Sequence, residues 1–262
     1  MIELAPSQFG AAGRFLPGFK CDPVLGYTIV ERRQTGRIFV DHPDDPRAAL
    51  FWHYSGCAIL AGGSDNDRFA GGIQKLLTGK FEDNQKRFAL IVDDEGWNGR
   101  ILDFARGDGN IIKDRRIRFR LDRSRFSISN HPVPAGFELK AIDETLLGMI
   151  RGGIVPSYIW DSPRAFLSEG KGFCMMEGGD IACTAFSSYI GNRQVDIGIE
   201  TAESYRRRGL GAPTAAAMVA HCLERGLGPD WGCAATNTGS QKIAQKLGFE
   251  VLASHPLYIW EG

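Results

Sequence analysis

The chain has 262 residues, enough for two domains of ordinary size or one large one. Its formal charge is zero, so no bulk field recruits nucleic acid or an acidic membrane, and no apolar run approaches the length of a membrane span. The segment Met1–Ser7 lacks the basic-then-apolar build of a signal peptide, and none of the six cysteines forms a Cys-x-x-Cys pair; this argues against zinc or a disulfide framework and for a reduced, cytoplasmic, metal-free protein.

Residues 1–35 have weak periodicity and read as an irregular approach. From Gly36 the pattern sharpens. Arg37–Val40, Ala48–Trp52 and Ser55–Ala61 read as strands, Asp67–Leu77 as a helix, Arg87–Val92 as a buried strand and Trp97–Phe104 as a helix. Ile117, Phe119 and Leu121 alternate with Arg118, Arg120 and Asp122 inside the basic run Lys113–Arg125. Such alternation suits a half-buried strand with arginines on its wet face better than a nucleic-acid platform, which needs interleaved aromatics.

Periodicity lapses around Asn130–Pro134, which predicts a boundary between a domain of residues 1–133 and one of residues 134–262. Beyond it come a strand at Phe137–Lys140, a helix capped by Asp143, and a helix opened by Ser162-Pro163 and stopped by Gly170. A hairpin turns about Gly178-Gly179, and Gln194–Glu200 adds another strand. A helix follows, then a short strand at Cys233–Ala235 and a helix begun by Asn237 and ended by Gly248. Phe249–Leu252 and Leu257–Trp260 are expected to pair with each other.

The most informative stretch is Asp196–Ala212. It starts as a strand, with Ile197 and Ile199 on one face and Asp196, Gly198 and Glu200 on the other. It then passes into Arg206-Arg207-Arg208-Gly209-Leu210-Gly211 and on into a helix. A helix start presents unpaired N–H groups and partial positive charge, glycines let backbone approach a phosphate, and arginines add forked donors. The stretch is built to hold an anion. Pro213 falls in the first turn of that helix, where a distorted turn is expected.

The element order of the second half resembles the GNAT acyltransferase fold, an α/β architecture with an α+β mixed sheet. Arg206-x-x-Gly209-x-Gly211 resembles the pyrophosphate signature of that superfamily. Asn237, Ser240 and Leu247-Gly248-Phe249 resemble its second acetyl-CoA motif. The chain is also similar to the two-part GNAT proteins that include the zwittermicin A resistance acetyltransferase. That similarity runs over Gly36–Asp122 and Trp160–Phe249 and implies a degenerate GNAT-like unit in the first half.

The resemblance implies acetyl-CoA as co-substrate and direct acetyl transfer to a primary amine of a small molecule, with antibiotic-like amines among the candidates. Ile197, Gly198 and Ile199 would pair with pantetheine, while Arg206, Arg207, Arg208, Gly209, Leu210, Gly211, Ala212, Asn237 and Ser240 would hold the rest of the cofactor. A lysine-like amine costs roughly 4–5 kcal/mol to deprotonate at pH 7, and a carboxylate, directly or through water, can take that proton. Asp196 and Glu200 are the candidates by position; the plainer alternatives are an ion pair for Asp196 and loop orientation for Glu200. Many GNAT enzymes carry a tyrosine seven residues after the motif asparagine to protonate the leaving thiolate; here that residue is Ala244, which leaves Tyr189 or Tyr258 as candidate substitutes, a proton from water, or departure of the thiolate unaided. A non-catalytic acyl-CoA sensor and a nucleic-acid-associated protein using residues 113–125 are the alternative readings. The sequence leaves room for a homodimer.

Overall fold

Elements alternate along the chain much as the apolar periodicity predicts. A computed structural model describes residues 1–78, 87–104 and 111–261. In chain order these form β1 (Ile2–Glu3), α1 (Pro23–Val30), β2 (Gly36–Val40), β3 (Ala48–His53), β4 (Cys57–Gly62), α2 (Asp67–Thr78), β5 (Arg87–Val92), α3 (Gly96–Phe104), β6 (Ile111–Leu121) and β7 (Glu138–Ala141). Then come α4 (Glu144–Met149), α5 (Pro156–Ile159), α6 (Pro163–Glu169), β8 (Gly172–Glu177), β9 (Asp180–Gly191), β10 (Gln194–Thr201), α7 (Gly211–Glu224), β11 (Gly228–Ala234), α8 (Thr238–Lys246) and β12 (Phe249–Glu261). Two units emerge: Met1–Arg118 with Ala234–Thr236 and Ala253–Gly262, and Phe119–Cys233 with Asn237–Leu252. The division falls inside β6, and the Asn130–Pro134 stretch lies within the second unit.

In the first unit β1 to β4 pair antiparallel in sequence, β4 pairs β5 in parallel, and β5 pairs antiparallel with Leu257–Glu261 of β12. Phe69, Phe88, Trp97 and Trp260 build its core. The Trp97 indole donates to the Gly62 carbonyl at 2.9 Å, which satisfies its one polar atom inside that core. The basic strand β6 engages the protein's own acceptors. Arg115 donates to Ser254, Arg116 pairs with Asp22, and the buried Arg118 donates to the Lys20 carbonyl at 3.2 Å.

In the second unit β7 to β10 also pair antiparallel in sequence, and β10 then pairs with β11 in parallel. Both units therefore follow one succession: four antiparallel strands, a helix, a parallel strand and a second helix. Polar caps fall where the sequence places them. Asp143 accepts the Leu146 N–H at 2.8 Å, Ser162 that of Ala165 at 3.1 Å and Asn237 that of Ser240 at 3.0 Å.

Two local expectations are corrected. Phe249–Glu261 is one continuous strand, and its Leu257–Trp260 segment pairs with β5 instead of folding back on Phe249–Leu252. Pro256 sits just before the first residue paired with β5. Pro213 does not distort α7: helix starts at Gly211, so Pro213 is in the first turn, where N–H groups have no intrahelical partner anyway. The residue four before it, Gly209, lies outside the helix, so the usual carbonyl clash does not arise.

Candidate active site

β10 changes character halfway along. Its parallel ladder with β11 runs from Gln194–Gly228 to Asp196–Asp230, and β10 continues beyond it to Thr201. Between Asp196 and Ile197 its register with β9 also shifts, the mark of a bulge, which re-aims the residues that follow. Gly198 answers a packing demand: a Cβ there would lie 2.4 Å from Ser188 Oγ and 3.0 Å from the Phe186 ring. Asp196 is buried, at 7 % exposure, at the end of the ladder and opposite Tyr189.

After β10 the chain makes a short 3-10 turn at Glu203–Tyr205 and enters the basic loop. Arg207 and Gly209 both take positive φ, +64° and +80°. Only Gly209 does so without steric cost, and a left-handed arginine is a strained residue of the kind found at functional sites. Left-handed residues interleaved with right-handed ones turn successive N–H groups to one side and form an anion-binding concavity. The loop feeds α7 through Leu210, which offers no side-chain cap to the helix N–H groups.

These elements enclose a cavity of about 640 Å³. Its walls include Ile199, Glu200 and Thr201 of β10, Tyr205 to Arg207 and Gly209 to Ala212 of the loop and α7, and Asn237, Ser240, Lys242 and Lys246 of α8. Helix α8 reaches the loop because Gly211 has no side chain: a Cβ there would lie 2.5 Å from Ile243 Cδ1. Trp231 ties down the first turn of α8 by donating to Ser240 Oγ at 3.0 Å.

Charge in the cavity is unbalanced. Four cations line it, Arg206, Arg207, Lys242 and Lys246, against one carboxylate, Glu200. Arg206 stands 3.6 Å from Glu200, whereas Arg207, Lys242 and Lys246 have no ion pair among the described residues. Like charges converge without compensation only at a cost, and a polyanion would relieve it.

Of the residues singled out from the sequence, Ile199, Glu200, Arg206, Arg207, Gly209, Leu210, Gly211, Ala212, Asn237 and Ser240 line this cavity together. Asp196, Ile197, Gly198 and Arg208 do not. Arg208 differs from the two arginines before it. Its Nη1 and Nη2 donate to the two oxygens of Glu177, at 3.2 and 2.7 Å, and its guanidinium lies over Phe137 and Tyr205. Hydrogen bonding to Arg208 lowers the Glu177 pKa, and the same bond raises that of Arg208. Glu200 is also committed: it accepts the Ile154 N–H at 3.0 Å, and its side chain is 18 % exposed. Lys242, Lys246 and Ile154 were not singled out from the sequence, although the lysines' four-residue spacing puts both on one face of α8.

The two substitute tyrosines part company. Tyr258 belongs to the first unit, where it donates to Asn98 at 3.2 Å, and Tyr189 lies on β9 in the second. Ala244, at the usual tyrosine position, is fully buried. All six cysteines are free thiols. Burial pushes Cys174 up to about 11 and Cys222 up to about 12, so these are inert core thiols even though His221 adjoins Cys222 in sequence. Among the described residues no helix is long and apolar enough to cross a membrane.

Comparison with known proteins agrees with this architecture. An uncharacterized N-acetyltransferase of Bacillus subtilis, YdfB, is 27 % identical over 262 residues, 98 % of this chain and 97 % of that one. A GCN5-related N-acetyltransferase-like protein from Streptococcus suis superposes with a TM-score of 0.78 over 97 % of this chain and 99 % of its own, at 23 % identity. A tandem GNAT protein from the clavulanic acid biosynthesis pathway superposes at 0.60 over 99 % and 97 % of the two chains, at 14 % identity. The family model for GNAT acetyltransferases matches residues 22–258. With the fold, this makes the chain a member of the GNAT acetyltransferase family, an acyltransferase of a family that uses acetyl-CoA as co-substrate.

Proposed function

We propose that the 640 Å³ cavity of the second unit is the acetyl-CoA site and that the enzyme transfers acetyl directly to a primary amine of a small molecule. The observation that carries this reading is the convergence of three uncompensated cations, Arg207, Lys242 and Lys246, on the strained loop that opens α7. The amides of Gly209 to Ala212, with Arg206 and Arg207, would take the diphosphate. Acetyl-CoA supplies the activated thioester. The backbone of Ile197, Gly198 and Ile199, just past the end of the parallel ladder, is the matching partner for pantetheine, and an N–H there would polarise the acyl carbonyl.

Asp196 is the proposed proton acceptor for the attacking amine. It lies at the bulge, before Ile197, and well along the strand from the phosphate loop. Glu200 is assigned to orienting the Arg151–Ile154 segment, since its oxygens already hold Ile154 and face Arg206. Tyr189, opposite Asp196 in the β9 register, is the proposed proton donor to the thiolate. The first unit is read as a degenerate second copy of the GNAT succession. Its counterpart of the anion loop, Gly63–Asn66, carries Asp65 where the second unit carries arginines.

A screen of primary amines with acetyl-CoA, read by release of free thiol, tests the reaction. Thiol release with a small amine supports it. Saturable acetyl-CoA binding without thiol release across amine classes would leave a binding protein in place of an enzyme for small amines.

A further inference from the structure

Of the three consecutive arginines, only Arg208 turns away from the cavity, and what it meets instead is a complete receptor. Glu177, at the end of β8 beside the Gly178–Gly179 turn, takes both terminal nitrogens. Phe137 and Tyr205 lie 4.9 and 5.1 Å from the guanidinium carbon, and their own rings meet edge-on at 6.4 Å. Leu210, at the far end of the loop, is buried in a cluster with Met175, Ala182 and Cys183, against which Phe137 and Tyr205 also pack. The loop is thus pinned at Tyr205, Arg208 and Leu210, and the two left-handed residues, Arg207 and Gly209, flank the middle pin.

We infer that Arg208, Glu177, Phe137 and Tyr205 form an anchor that holds the Arg206–Leu210 loop in its anion-binding shape, which makes Glu177 a positive determinant of acetyl-CoA affinity. The inference rests on the cavity being the acetyl-CoA site. A left-handed arginine persists only where neighbouring contacts over-determine the backbone, and Arg208 supplies those contacts one residue away. A planar guanidinium fork is suited to this role because it fills both carboxylate oxygens and stacks on two rings at once, which a lysine's point charge cannot do. Simple electrostatics predicts the opposite role for Glu177. A carboxylate near an anion site weakens binding, and removing it should tighten the complex.

Calorimetric titration of the intact chain with acetyl-CoA separates the two. The anchor predicts that Glu177→Ala and Arg208→Lys each weaken binding by about tenfold, and that the double variant is no worse than either alone because both break one unit. Phe137→Leu, which changes no charge, should weaken binding in the same direction. In the anchor variants the dependence of affinity on salt should match wild type, whereas Arg207→Asn should flatten it. Thermal melts identify any variant that fails to fold, and Phe137→Leu and Arg208→Lys keep the question open to test if Glu177→Ala does. Folded Glu177→Ala protein that binds acetyl-CoA as tightly as wild type, or more tightly, would overturn the anchor. Absence of binding by wild type would overturn the site assignment itself, and the anchor with it.

Discussion

Glu200 on β10 reaches across to the backbone of Ile154 and accepts its N–H at 3.0 Å. Contact is close enough to demand Gly152, where a Cβ would lie 2.7 Å from Glu200 Cγ and where φ is +144°. A general base must be free to take a proton, and this carboxylate is occupied by a loop and faces Arg206. Positioning predicts that Glu200→Gln, whose amide oxygen can still accept from Ile154, keeps turnover within about threefold of wild type, since a hydrogen bond survives. Glu200→Ala and Gly152→Ala should both lower kcat/KM by about tenfold, the ~1.4 kcal/mol of one lost interaction to a charged group. Steady-state kinetics decides it; a hundredfold loss in Glu200→Gln, easing at high pH, would return the base role to Glu200.

Asp196 carries the complementary prediction. Asp196→Asn should lower kcat by ~10²–10⁴-fold, the usual contribution of a positioned base, with acetyl-CoA affinity nearly unchanged. The deficit should shrink as pH rises and free amine becomes abundant. Wild-type rates in Asp196→Asn across a pH–rate series would retire Asp196 and leave Glu200 or bulk water as the acceptor.

Lys242 and Lys246 line the cavity with the arginine loop, from one face of α8. Replacing both by alanine should weaken acetyl-CoA by roughly tenfold, each exposed cation contributing about 0.7 kcal/mol, while the melting temperature stays put. Titration at two salt concentrations checks the cause, because a charge effect must shrink as salt rises.

His53, in the core of the first unit, predicts an acid-sensitive fold. Complete burial pushes its pKa from 6.5 down to about 3, and Ser55 Oγ lies 2.9 Å from its Nδ1. The folded state therefore keeps His53 neutral where the unfolded chain protonates it. Between pH 6.5 and about 3 the unfolded state binds the extra proton, so stability falls as pH falls through that window and is flat above it. At pH 5 the penalty is roughly 2 kcal/mol. Melts of wild type and His53→Gln at pH 7.5 and pH 5 should show a smaller acid loss in the variant; equal losses would assign the acid sensitivity to other groups.

The sequence was most legible where structure is local. Asp143, Ser162-Pro163 and Asn237 announce helix starts because a capping oxygen satisfies an N–H within its own first turn. The basic loop between β10 and α7 was legible for the same reason: glycine spacing and charge are written in consecutive residues. Direction of a side chain is not. Arg207 and Arg208 look alike in sequence, yet one faces the cavity and the other faces Glu177, 31 residues away along the chain on β8. Arg207 is left-handed and Arg208 is not, and nothing in the letters Arg-Arg-Arg marks which one. Strand partners were equally out of reach for the last segment, since Leu257–Trp260 pairs with β5, far earlier in the chain. The commitment of Glu200 to Ile154 depends on where the Arg151–Ile154 loop folds, a tertiary fact that periodicity does not encode.

Acetyl-CoA binding is assigned above all to the loop from Arg206 to Gly211, and Gly209 tests that assignment most directly. A Cβ at Gly209 meets nothing within 4 Å, so the residue is glycine for its backbone at φ +80° and for the open space in front of it. Calorimetric titration of the intact chain should show one acetyl-CoA per chain, because the first unit has Asp65 in the loop where the second has arginines. In Gly209→Glu, which adds a side chain and a negative charge at that spot, affinity should fall by at least about a hundredfold, some 2.7 kcal/mol, while the melt drops only by the strain of one left-handed residue. Unchanged affinity in a folded Gly209→Glu protein would mean that the arginine–glycine loop is a surface turn and that acetyl-CoA binds elsewhere.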